Sequence, residues 1–372
     1  MCNYQAEVAQ RKPDSDNRVV IPPNHPDINY FGRVDCTTPA APTFSYPGVT
    51  IRTGFSGSSI HMDFLDSGNH TNTNYYDVSI DDAPSTRLAM IPGTHTYALA
   101  ENLRAGAHTI EIFKRVESNY GTGQGTFLGF RIDAGETILP VPPKPYRIEF
   151  IGDSITCGYG NTVAVDTPGE YHYTTETANA HKSWAAITAE QIHAELSIVA
   201  YSGRGVFRNV NGMKGNTIPK MYFKTLPDHP QGMTWEPNRF IPDIVVINLG
   251  TNDFSPSLSE SKLNEVRFHY HETTAIFVAT LRKTYPQAAI ILAVGPMLSD
   301  DYPEGYNALS SVTAALRHIV NARSAEGDTN MYFIQLPREA SLWGADWHPT
   351  ETTHRKMADA LVTFLRQRRI VL

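Results

Sequence analysis

From residue 18 to about 140, apolar residues tend to recur at every second position. In S-I-H-M-D-F-L, Ile60, Met62 and Phe64 alternate with polar neighbours, the pattern of a strand with one buried face. The same period runs through Y-Y-D-V-S-I-D (75–81), H-T-I-E-I-F-K (108–114) and T-F-L-G-F-R-I-D (126–133). Turn-rich stretches such as D-S-G-N-H-T-N-T-N separate these runs, and no helical period of useful length interrupts them. Residues 18–140 are therefore predicted to form an antiparallel β-sandwich, of jelly-roll type.

The segment P-V-P-P-K-P (140–145) is stiff and extended, a natural boundary. Beyond it the pattern changes. Continuous apolar runs occur at R-I-E-F-I-G, L-S-I-V-A-Y-S (196–202), D-I-V-V-I-N-L-G (243–250), A-I-I-L-A-V-G (289–295) and M-Y-F-I-Q-L (331–336). Helical periods alternate with them around 183–193, 258–284, 305–324 and 351–367, and in the last Met357, Leu361, Phe364 and Leu365 share one face. Strands buried on both sides, alternating with helices, predict an α/β domain with a parallel sheet over 146–372.

Composition narrows the function. The 372 residues suit two domains, and the 41% hydrophobic and 19% charged fractions describe a globular chain. Lys plus Arg is 31 and Asp plus Glu is 38, a net charge of −7 with no basic run, so nucleic acid is not an expected partner. No apolar stretch approaches the roughly 18 residues needed to span a membrane. Three cysteines are too few for a disulfide framework and fit no zinc spacing. Residues 1–17 are polar, lack the apolar core of a signal peptide, and are expected to be disordered. Cys2 is read as an ordinary second residue, with a bacterial lipoprotein cysteine as the alternative.

Ligands in such a sheet sit beyond the carboxyl ends of the strands. Gly152-Asp153-Ser154, Ser202-Gly203-Arg204-Gly205 and Gly250-Thr251-Asn252-Asp253 lie where apolar runs stop, and Asp346-Trp347-His348-Pro349 precedes the last helix. Each block alone is ordinary turn chemistry. Together they contain what acyl transfer needs: a hydroxyl nucleophile (Ser154), a base (His348), and oxyanion donors in the N–H groups of Ser154 and Gly203 and the amide of Asn252. Asp153 is expected to cap the turn after the nucleophile, and Asp253 to bond structurally near Asn252. Trp347, beside the proposed base, is a candidate ring for stacking on a sugar, whereas Trp184 reads as a core residue.

In this order, G-D-S-I-T, S-G-R-G, G-T-N-D and D-W-H-P resemble the four blocks of the SGNH (GDSL) hydrolase superfamily. With the preceding sandwich, the chain is similar to carbohydrate esterase family 2. That resemblance implies a jelly roll followed by a flavodoxin-like SGNH hydrolase domain, and removal of acetyl groups from plant polysaccharides such as xylan and glucomannan. It also implies a cleft aromatic at Tyr222. Many superfamily members carry an acid three residues before the histidine, but here that position is Ala345. Asp346 is then either the acid of a triad or a contact to the sugar, and in the second case a backbone carbonyl would orient His348.

No cofactor is expected. Gly203-x-Gly205 lacks the later glycine of a dinucleotide fingerprint. His269 and His271, two apart on a predicted helix, point away from one another, so no metal is expected either. Expected partners are an acetylated polysaccharide or oligosaccharide, at a secreted or cell-envelope location in a bacterium. A cytoplasmic place stays open for an enzyme of imported oligosaccharides. Two other readings remain: an acyl-lipid or thioester hydrolase of the same superfamily, and a glycan-binding protein whose esterase site is vestigial.

Overall fold

A computed structural model describes residues 17–372 apart from 82, 120, 228, 230–232, 257 and 339–340. The expectations for residues 1–16, including Cys2, lie outside the described residues. The chain divides into two compact units, residues up to Pro143 with Lys224–Trp235, and Lys144–Phe223 with Glu236–Leu372.

The first unit contains two antiparallel sheets. One runs in the order Arg18–Ile21, Gly125–Asp133, Ile60–Asp66, Gly93–Ala100, with Thr43–Phe44 also pairing on Gly125–Asp133. The other runs Ile138–Leu139, Thr50–Gly57, Gly106–Lys114, Tyr75–Ile80, Thr86–Ala89, with Asn29–Phe31 on Thr50–Gly57. Ile60, Met62 and Phe64 are all buried, among Phe44, Phe55, Tyr76, Phe127 and Phe130. Two features escape the period-two pattern. His61 is buried as well, its Nε2 3.1 Å from Glu101 Oε1. Thr50–Gly57 lies inside its sheet and is buried at nearly every position, so it shows no alternation.

The second unit is built on five parallel strands: β1 (Tyr146–Gly152), β2 (Ala194–Ala200), β3 (Ile244–Asn248), β4 (Ala289–Val294) and β5 (Met331–Gln335). Their order is β2-β1-β3-β4-β5. The helices are α1 (Ser154–Cys157), α2 (Trp184–Gln191), α3 (Ile218–Met221), α4 (Glu260–Thr284), α5 (Ala308–Ala325) and α6 (Glu351–Gln367). The chain steps one way from β1 to β2 and the other way from β1's opposite side through β3, β4 and β5. Right-handed crossovers then put the β1–β2 connection on one face and the later ones on the other. Consistently, α2 packs on α6 and α4 on α5. The reversal of strand order at β1 opens a crevice at its carboxyl end, where ligands of such sheets bind. Trp184 is fully buried, edge-on to Phe150 with ring centroids 4.8 Å apart.

Candidate active site

Ser154 begins α1 two residues after β1 ends, a sharp strand-to-helix junction. Asp153 is its N-cap, Oδ1 accepting the Ile155 N–H at 3.0 Å. Gly152 cannot carry a side chain there, because a Cβ would lie 2.1 Å from Thr156 Oγ1.

The Ser154 hydroxyl is 2.7 Å from His348 Nε2. On the other side of the ring, Nδ1 is 3.1 Å from the Ala345 carbonyl and 3.0 Å from the Asp346 carbonyl. A carbonyl oxygen only accepts, so Nδ1 carries the proton and the Nε2 lone pair faces the serine hydroxyl. That is the tautomer a general base needs. The ring stacks on Tyr159 at 4.1 Å. Loss of water around it outweighs its two carbonyl acceptors and pulls its pKa down to about 4, so it is neutral above that pH.

Gly203 follows β2 with φ +76, a left-handed conformation suited to glycine. Neither its N–H nor that of Ser154 has an acceptor among the described residues. Asn252 lies beyond β3, its amide donating to the Arg204 carbonyl at 2.9 Å and to Asp153 Oδ2 at 3.2 Å. It thereby joins the first three sequence blocks, and its longer bond is the one a developing oxyanion could replace. The neighbouring Asp253 accepts N–H bonds from Val206, Phe207 and Arg208 at 3.0, 2.7 and 2.9 Å, clamping the segment just after S-G-R-G to the G-T-N-D block. Burial drives both acids upward despite these donors, Asp153 to about 7 and Asp253 to about 6.

The structure thus brings Ser154 and His348 together directly, and Asn252 against the blocks that carry Ser154 and Gly203. The other three candidates differ from one another in placement. The Asp346 carboxylate makes no bond to His348: Oδ1 is 2.7 Å from His172 Nδ1, while Oδ2 accepts from Tyr159 Oη and Tyr173 N–H, both at 2.9 Å. Burial opposes its charge, but these donors, His172 foremost, hold its pKa below the usual carboxylate range. Trp347 is 52% exposed. Tyr222 corrects the expectation of a cleft aromatic. It is wholly buried after α3, its hydroxyl bonded to Glu149 inside β1 and 3.2 Å from the Tyr285 hydroxyl. A buried glutamate in a central strand needs a donor, and Tyr222 provides it.

Sequence reasoning missed Tyr159, His172 and Tyr173. The last two lie in T-P-G-E-Y-H-Y-T-T, a polar loop with no period, and only Tyr159 carried a signal, directly behind the nucleophile block. His269 and His271 engage different neighbours, His269 stacking on Phe207 at 4.6 Å and His271 lying 2.9 Å from His318 Nδ1.

A serine hydroxyl held on a histidine at the carboxyl edge of a parallel sheet, beside N–H groups with no acceptor among the described residues, is the arrangement of a GDSL-type hydrolase. Two family models match the chain, carbohydrate esterase 2 N-terminal over residues 30–142 and GDSL-like lipase/acylhydrolase over 150–356. The chain belongs to this GDSL-like family, in its carbohydrate esterase family 2 branch, and is a carboxylic ester hydrolase. It is 33% identical over 358 residues to a cellulase/esterase of Acetivibrio thermocellus, covering 96% of this chain but only 40% of that protein. An acetylxylan esterase / glucomannan deacetylase of Cellvibrio japonicus is 32% identical, with 93% of this chain and 90% of the relative covered. Among solved structures, a family two carbohydrate esterase from Clostridium thermocellum in complex with cellohexaose superposes with a TM-score of 0.81 at 33% identity, over 92% of this chain and 99% of that one. A family two esterase from Cellvibrio japonicus gives 0.79 at 30%, over 94% and 97%.

Proposed function

We propose that this protein is a carbohydrate acetyl esterase that removes O-acetyl groups from plant polysaccharides, acetylated xylan or glucomannan. The observation that carries the reading is the 2.7 Å pairing of Ser154 Oγ with the neutral Nε2 of His348, in a chain of carbohydrate esterase family 2. Ser154 Oγ attacks the acetyl carbonyl as Nε2 takes its proton. The oxyanion rests on the N–H groups of Ser154 and Gly203 and the Asn252 amide. Collapse breaks the bond between the acetyl carbon and the sugar oxygen, and the imidazolium gives its proton to that oxygen as the sugar leaves as an alcohol. Water, deprotonated by His348, then attacks the acetyl-enzyme; acetate leaves and Ser154 regains its proton. No metal or organic cofactor enters these steps.

Trp347, next in sequence to the base and half open to solvent, is the proposed stacking surface for the sugar. The related deacetylase and the cellohexaose complex support a glucan- or xylan-like backbone as the partner. A polymeric substrate places the enzyme outside the cytoplasm, secreted or at the cell envelope. No described helix is long and apolar enough to cross a membrane.

Acetate release from acetylated glucomannan and acetylated xylan tests the proposal. Wild type releases acetate and Ser154→Ala does not. Faster turnover of nitrophenyl butyrate or longer esters than of the acetate would overturn the carbohydrate reading in favour of acyl-lipid chemistry.

A further inference from the structure

The structure gives the Asp346 carboxylate partners other than the His348 ring. Its carboxylate does not reach the His348 ring, whose Nδ1 is already engaged by two carbonyls. Toward solvent it is a quarter exposed, and both its oxygens already accept from donors of its own unit.

What it holds is a strained turn. Asp346 (φ 47) and Trp347 (φ 65) are consecutive left-handed residues, and neither is glycine. Such a pair persists only where its surroundings over-determine it. Here the surroundings are the loop Gly169–Tyr173 and Tyr159. The Tyr171 carbonyl accepts the Asp346 N–H at 2.8 Å, and His172 and Tyr173 bind the carboxylate. Tyr159 donates to the same carboxylate while packing at a tilt against Tyr173 (4.3 Å) and stacking on His348 (4.1 Å). Gly169, φ +80, lies against the indole of Trp347, where a Cβ would come within 2.5 Å of Cζ2.

The strained pair matters because the Asp346 carbonyl belongs to the peptide that joins it to Trp347. That carbonyl is one of the two acceptors that hold the His348 Nδ1 proton, so its direction depends on the ψ of Asp346 and the φ of Trp347. A turn relaxed to right-handed angles would swing the carbonyl away and release the tautomer.

We propose that the loop Gly169–Tyr173 is a positioning clamp for the general base: through the Asp346 carboxylate it locks the Asp346–Trp347 turn, whose carbonyl aims His348 at Ser154. His172 and Asp346 are positioning residues in this arrangement. The inference rests on the reading of His348 as the base, and it gives the dyad a carboxylate that acts through the backbone.

The test compares His172→Ala, His172→Asn, Asp346→Asn and Asp346→Ala with wild type on 4-nitrophenyl acetate, too small to need a sugar platform. Folding is checked by thermal melting, and the His348 tautomer by nitrogen NMR. His172→Ala is expected to lower kcat about three- to tenfold with KM little changed, the size of one charge-assisted bond. His172→Asn, which keeps a donor, recovers most of that loss, and Asp346→Ala loses about ten times more than His172→Ala. The imidazole signals of His348 lose their single Nδ1–H form in step with kcat. Unchanged kcat in both alanine variants, with KM raised only on polysaccharide, would make the carboxylate a sugar contact and overturn the clamp. Loss of turnover in Asp346→Asn with full activity in His172→Ala would make it a triad acid and also overturn it. Should Asp346→Ala fail to fold, the two His172 variants decide. Wild type inactive on every ester would sink the esterase reading instead, and the NMR comparison would still judge the clamp.

Discussion

In the first unit Lys114 is fully buried and donates to Asn74 Oδ1 at 2.8 Å, while Asn74 donates to Asp66 Oδ2 at 2.9 Å. In the second, Asp153 and Asp253 are equally buried, but their bonds lead outward to an amide, a nucleophile's turn and a glycine loop. The first network runs among buried groups and serves packing. The second ends at groups with capacity to spare: the Ser154 hydroxyl, and the N–H groups of Ser154 and Gly203. The surfaces differ in the same sense. Among described residues, every exposed aromatic belongs to the second unit, Trp347 and Tyr171 among them, while the sandwich strands and loops expose the aliphatic Ile91. Chemistry is to be sought where polar capacity and apolar rings are left open.

The sharpest way to break this contrast is Ser154→Ala. Acetate release should fall by on the order of 10³-fold or more, with an unchanged melting temperature, because the hydroxyl is spent on His348 and holds up nothing else. Asn252→Ala should lower kcat by about 10²- to 10³-fold, measured on 4-nitrophenyl acetate; a loss confined to stability would move Asn252 into the packing class. In a Ser154→Ala background, Trp347→Ala should weaken binding to glucomannan about tenfold in affinity electrophoresis, and Ile91→Ser should leave it unchanged. The reverse pattern would make the sandwich the glycan-binding unit.

The smallest effects concern protons. His348 is neutral above about 4, so kcat/KM should stay level toward acid pH and fall only as pH drops through that value. Stability carries two opposed contributions. His348 and His354, lowered to about 4 and about 3 from 6.5, cost stability as pH falls below 6.5, because only the unfolded chain takes up the protons. Asp153 and Asp253, raised to about 7 and about 6 from 3.8, cost stability as pH rises above 3.8, because only the folded chain keeps them. Between pH 4 and 6 the pairs offset one another. Asp253→Asn removes one of the retained protons. Chemical denaturation should then show stability rising with pH more steeply than wild type, by about 1 kcal/mol per pH unit.

The chain's own periods were enough to place most of these elements. The switch from alternation to continuous apolar runs marks where a one-faced sheet gives way to a two-faced one, and the expected α6, 351–367, has the bounds observed. Short, local chemistry was legible for the same reason: Gly152, Ser154, Gly203 and Asn252 stand at strand ends, whose positions follow from hydrophobicity. Tyr222 was misjudged because its place depends on a carboxyl group buried 73 residues away, at Glu149. Lys224–Trp235 joins the first unit although it follows the second unit's α3, an exchange no local pattern encodes. Asp346 shows the limit most clearly. Two residues from His348, its side chain could have bonded the base directly, and a loop some 170 residues earlier supplies its partners instead. Local sequence determines which groups can form a strand or donate a proton; which of them meet is decided by long-range packing, where each buried charge takes the donors that the fold brings to it.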